Sequence, residues 1–153
     1  NLGDDSADRQ YIAILHFNTA SLPDTAVITR MTLMIKKQGL IGTDPFTSLG
    51  KISVDVRTGA FSNNNALEAI DFQAPAHKSA AAVIGNIPIN NWYLAKFSTS
   101  AFSYLNKIGV TQFRLRFQKD DNDNATADFL KFFSGNYGTA SARPTLVIEY
   151  YVP

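Results

Sequence analysis

The chain has 153 residues, no cysteine, two histidines and a formal net charge of +1. Those counts exclude disulfides, thiolate metal sites, cysteine nucleophiles and multi-histidine metal sites. The balanced charge gives no nucleic-acid footprint, and no apolar run approaches the length of a membrane helix.

Apolar residues make up 45% of the chain and aromatics 12%, a composition that folds, and the length fits one domain. Asn, Ser and Thr are abundant, whereas Glu68 and Glu149 are the only glutamates. Helix surfaces favour Glu, Lys and Ala, while strands and turns use Thr, Asn, Asp and Gly, so an all-β fold is expected.

Period-two segments follow one another along the chain. Residues 11–17 alternate with both faces apolar, as in a strand covered on both sides. Turn residues 18–24 separate it from a second strand over 26–37. A loop rich in Gly, Pro and Thr is expected over 39–50. The next strand, 51–57, points Ile52, Val54 and Val56 inward and Ser53, Asp55 and Arg57 outward.

Residues 66–72 read as a helical turn or irregular structure. Strands are expected over 81–87 and 92–97. A short helix between Ser98 and Gly109 would present Phe102, Leu105 and Ile108 on one face. Residues 111–117 alternate most clearly, with Phe113, Leu115 and Phe117 inward and Gln112, Arg114 and Arg116 outward. Strands over 129–134 and 145–152 complete the set. About eight strands with at most one or two helical turns predict an antiparallel β-sandwich, jelly-roll-like. No repeat or linker divides it, so residues 1–153 read as a single domain. The first residue is Asn1 rather than Met, which points to a processed or excised chain.

No catalytic motif stands out. His16 lies mid-strand between Leu15 and Phe17, where a structural role is expected, and His77 lies in a polar stretch. There is no G-x-S-x-G elbow, Walker A loop or G-x-G-x-x-G turn. Asp55 and Asp71 could form a carboxylate pair, but thirteen acidic residues supply such pairs by chance. A non-enzyme is expected.

The loop from Asp120 to Asp128 is more distinctive. Asp120, Asp121, Asp123 and Asp128 offer oxygen ligands at close spacing, as Ca²⁺ requires, although the EF-hand glycine and glutamate are missing. The alternative is a solvated turn. Asp4, Asp5 and Asp8 form a second cluster that could join the same site. Asn124-Ala125-Thr126 is the single glycosylation sequon.

Sugar binding needs exposed rings and polar partners. Trp92, Tyr93 and Tyr137 are candidate platforms, and Arg114 and Arg116 are candidate partners for an anionic sugar. The competing readings are core packing for Trp92 and a solvated or ion-paired sheet face for the arginines.

Three stretches carry a family resemblance. They are QYIAILHFNTASLPDTAVITRMTLMIKKQG (residues 10–39), TQFRLRFQKDDNDN (111–124), and ADFLKFFSGN followed by ARPTLVIEYYVP. They resemble DNRLRE-type domains, extracellular β-sandwich modules of secreted and cell-surface proteins, some of them similar to carbohydrate-binding modules. The resemblance implies an extracellular or cell-surface location and a non-catalytic module that binds polysaccharide. Relatives generally carry one further N-terminal strand before the stretch equivalent to Leu2–Asp5. This chain therefore looks one strand short, which suggests a second reading. It would be a fibre or adhesin subunit that associates with another copy by β-strand addition at an open edge.

Overall fold

In the computed structural model, which describes residues 1–153, the strands form two antiparallel sheets packed face to face. The strands are β1 (Leu2–Asp4), β2 (Gln10–Tyr11), β3 (Ala13–Asn18), β4 (Val27–Ile41), β5 (Ile52–Thr58), β6 (Lys78–Ile84), β7 (Trp92–Lys96), β8 (Val110–Phe117), β9 (Asp128–Phe132) and β10 (Thr145–Tyr151). One sheet has the order β10-β4-β9-β1-β2, with β7 also paired to β4, and the other has the order β3-β8-β5-β6. The expected antiparallel sandwich is therefore observed.

The alternation read from the sequence explains the core. Met31, Leu33 and Ile35 of β4 face Val54, Val56, Phe113 and Leu115 of the second sheet, and all are buried. Burying each such side chain contributes about 1.5–3 kcal/mol. Strand β4 organises its sheet. Val27–Met34 pairs with β10, Thr32–Lys36 with β7, and Lys37–Ile41 with β9 after a bulge.

Several boundaries differ from the sequence expectation. The strand expected over 11–17 is two strands in different sheets, split at Ile12. Large apolar residue types continue at odd positions from Tyr11 to Phe17, although Ala13, Leu15 and Phe17 pack on the core and Tyr11 packs on Phe129, so periodicity alone could not reveal the crossover. The loop expected over 39–50 contains the end of β4 and a single helical turn, α1 (Pro45–Ser48). Asp44 caps that turn by accepting from the Phe46 amide at 3.0 Å, and Pro45 opens it. The turn places the Phe46 ring 5.3 Å from Tyr93 and 5.1 Å from Phe117, plugging one end of the sandwich between the sheets. The helix expected after Ser98 is a 3-10 segment, Thr99–Tyr104, which buries Ala101 but leaves Ile108 exposed.

Strand β1 is too short for a periodicity signal, yet it lies between β9 and β2. Its centre is Gly3, with φ of +136°. A Cβ there would lie 2.1 Å from the Asp128 carbonyl oxygen. The missing side chain also lets Tyr11 and Phe129 meet edge-to-face across it at 5.2 Å.

Candidate functional site

The outer faces of the two sheets differ. On the four-stranded sheet, outward residues of β5 and β8 are covered by the connection running from Gly59 to His77. Arg114 points away from the core, as its alternation requires, but it is buried under that connection. Its Nε and Nη2 donate to Asp55 Oδ2 at 3.1 and 2.9 Å. Its Nη1 donates to the carbonyls of Asp71, Phe72 and Ala74 at 3.0, 3.1 and 2.8 Å. The guanidinium also stacks 4.6 Å from the Phe61 ring centre. Gln112 adds to the same seam by accepting from the Phe61 amide at 2.9 Å. Arg114 is thus a clamp that holds the connection to the sheet, not an open ligand contact. Arg116 is about one-third exposed, with its Nε 3.6 Å from the same Asp55 oxygen.

The outer face of the six-stranded sheet is open. Since Met31, Leu33 and Ile35 face the core, Arg30, Thr32, Met34 and Lys36 line the other side of β4. Lys36 pairs with Trp92 of β7, and its Nζ lies 5.7 Å from the indole centre. On the other flank, the Phe133 amide donates to the Lys36 carbonyl at 3.1 Å. The Phe133 ring packs 4.5 Å from Tyr137, which is 40% exposed. Trp92 therefore lies beside the Lys36 side chain, and the segment bonded to the Lys36 carbonyl on the other flank carries the Phe133–Tyr137 ring pair. Beyond them a shallow trough of about 460 Å³ continues between Arg30, Thr32 and Met34 on β4, Leu94 and Lys96 on β7, and Val147 and Glu149 on β10. Glu149 pairs with Arg30 at 3.1 Å. No carboxylate pairs with Lys36 or Lys96, so the face keeps a positive excess.

The five sequence candidates thus separate. Trp92 and Tyr137 share the open face, and Arg114 and Arg116 lie on the opposite sheet. Tyr93 is buried against Phe46, so it supplies no platform; burial, and to a lesser degree the Asp44 charge, raise its hydroxyl pKa. The sequence reading missed Lys36, Lys96 and Phe133. For Lys36 the available signal was the even-numbered outward phase of β4, and for Lys96 it was the same phase as Trp92 and Leu94 on β7; Phe133 lies just past the end of β9 and carried none.

The acidic loop is arranged unevenly. Asp120 and Asp123 are exposed, Asp121 is half-buried, and Asp128 is buried. Both Asp128 oxygens are already engaged. Oδ1 accepts from the Thr43 amide, and Oδ2 from the Asn122 and Asn124 side-chain amides. These bonds outweigh burial and lower its pKa. Asp4, also buried, joins it: the Asp128 amide donates to Asp4 Oδ1 at 3.2 Å. Burial, reinforced by the Asp128 charge, raises the Asp4 pKa, and Asp4 Oδ2 has no partner. Asn122 Oδ1 is likewise buried and unpaired. These are the two buried side-chain oxygens of the cluster that lack a hydrogen-bond partner. No three carboxylate or imidazole groups converge.

Both histidines make hydrogen bonds of their own. His16 Nδ1 meets the Gln112 amide at 3.3 Å, and His77 Nδ1 accepts from the Thr58 amide at 3.1 Å. Comparison with known proteins returned no matching family model, no matching characterised protein and no matching solved structure.

Proposed function

We propose that the chain is a non-catalytic extracellular module that binds an anionic polysaccharide on the open face of its six-stranded sheet. The observation that carries this reading is the placement of Trp92 on one flank of Lys36 and the Phe133–Tyr137 ring pair on the other, on a face that nothing else covers. Pyranose rings present apolar C–H faces to aromatic rings, and carboxylated sugars meet ammonium groups. From Arg30 to Lys36 the open face, trough included, runs about 20 Å at ~3.3 Å per residue, room for several sugar rings in line. Lys36 and Lys96 supply the charge, and Arg30 is tied to Glu149. The resemblance of residues 10–39 and 111–124 to extracellular sandwich modules points the same way.

Trp92 is the only tryptophan, so its fluorescence reports on this face directly. Titration with alginate, polygalacturonate and hyaluronan should change the emission. Cellulose and starch should not. Binding should weaken with added salt, because exposed charges are screened. In affinity gels Lys36→Ala and Trp92→Ala should lose retardation while keeping the wild-type melting curve. Absence of retardation on every acidic polymer, or undiminished binding by both variants, would refute the reading.

A further inference from the structure

The sheet edges are not equally protected. Strand β6 carries Lys78 and a bulge opposite Val54–Val56, and β10 carries the ion-paired Glu149 and a bulge at Glu149–Tyr150. Strands β2 and β7 are only two and five residues long. Bulges, charges and short length are the usual ways of blunting an edge. Strand β3 carries neither a bulge nor a formally charged residue. Its six residues, Ala13–Asn18, run in unbroken register with β8 and pair with nothing on the other side.

Backbone alternation shows what this edge offers. The Thr19 amide donates to the Gly109 carbonyl at 2.9 Å, continuing the β3–β8 register. Odd-numbered residues therefore bond to β8, and the amides and carbonyls of Ile14, His16 and Asn18 point outward. A groove follows the edge. One cavity of about 500 Å³ lies between Ile14–Phe17 and the segment holding Asn136 and Arg143. A second, of about 250 Å³, shares Phe17 with the first and is floored by Leu22, Leu146 and Ile148. Those three residues and Phe17 are only partly buried, although they pack on the core. Arg143 is the one formally charged side chain lining either cavity.

We infer that the outer edge of β3 accepts an extended strand of a partner polypeptide, about five residues long, with apolar side chains at alternate positions and an acidic residue at the Arg143 end. The outward amides and carbonyls recur every second residue, the repeat that another strand matches. Apolar side chains of the incoming strand would cover Phe17, Leu146 and Ile148. The groove is bounded on its far side by β10 and the segment before it, which suits a single strand rather than a second sandwich. The groove adjoins the open sheet face where Arg143 Nε donates to the Tyr137 carbonyl at 2.7 Å, but the edge of β3 itself belongs to the other sheet and does not depend on sugar binding.

The probe is a fluorescein-labelled peptide alternating valine and threonine, with a glutamate at each end. Fluorescence anisotropy should show saturable binding to the wild-type protein. The same peptide N-methylated on alternate amides should not bind. His16→Pro removes an outward amide that β8 does not use, so it should weaken binding at least about tenfold while leaving the melting curve nearly unchanged. Arg143→Ala should weaken the glutamate peptide and leave a serine-ended version unaffected. Equal binding of the methylated and unmethylated peptides would overturn the inference, as would no binding at all. Light scattering that shows a dimer dissolved by His16→Pro would overturn the single-strand occupant in favour of a second copy.

Discussion

Arg114→Ala is the sharpest test of how the fold holds its covered face. The substitution leaves Asp55, which is fully buried, with only the Ala80 amide at 2.9 Å and the looser Arg116 contact at 3.6 Å. Breaking one partner of a buried pair costs about 3–5 kcal/mol, because the remaining charge stays buried. The carbonyls of Asp71, Phe72 and Ala74 lose their donor as well, which places the expected loss near the upper end, about 5 kcal/mol. For a domain of this size that lowers the melting temperature by about 10–20 °C, measurable by calorimetry. A double variant, Asp55→Leu with Arg114→Met, removes the uncompensated charge but not the orphaned carbonyls. It should recover much of the loss and remain about 1–3 kcal/mol below wild type. Limited proteolysis should show new cleavage between Asn63 and Gln73 in both. A loss below about 1.5 kcal/mol for Arg114→Ala, with no new cleavage, would refute the clamp.

Four further outcomes follow from the same structure. Gly3→Ala places a methyl group against the Asp128 carbonyl at a φ of +136°, so it should cost about 3 kcal/mol or more in urea unfolding. Phe113→Ala opens a cavity beside Phe17 and Phe97 and should cost about 3–5 kcal/mol by the same measurement. Asp4 has a pKa raised by burial, so its folded form holds the proton more tightly than the unfolded form does. Its contribution to stability is therefore favourable below the unfolded pKa and declines as pH rises toward the folded one. Asp4→Asn should raise the melting temperature at pH 7 and have little effect near pH 3. Asp128 has the opposite sign: its lowered pKa gives stability above the unfolded value that is lost as pH falls through the folded one. Calcium chloride should shift wild type and Asp4→Asn equally little, and a selective rise in wild type would assign the free Asp4 oxygen to a cation.

Much of the sandwich was legible because its strands are half-buried and alternate. Residues 111–117 and 51–57 show this best, with inward Phe113, Leu115, Val54 and Val56 all in the core. Strands β1 and β2 were not legible: at three and two residues they are too short to carry a period. The break at Ile12 was hidden because apolar residue types continue at odd positions through it, although Tyr11 packs on Phe129 while Ala13, Leu15 and Phe17 pack on the core. The candidate site was partly legible. Trp92 and Tyr137 stood out as residue types, but Tyr93 beside Trp92 has the opposite phase and is buried.

The sequence by itself determined the inward and outward phase of each long strand, the turn chemistry between strands and the lack of cysteine chemistry, since these depend on residues near one another in the chain. Tertiary structure decided which outward face stays outward. Arg114 and Trp92 are both directed away from the core by alternation, yet Arg114 is covered by a connection beginning more than forty residues before it, while nothing covers the sheet face around Trp92. Coverage is a long-range property, because it depends on where a loop lands rather than on the strand beneath it. The unprotected edge of β3 has the same character. Its six residues show that it lacks a charge or a proline, and only the sheet order shows that no neighbouring strand lies beside it.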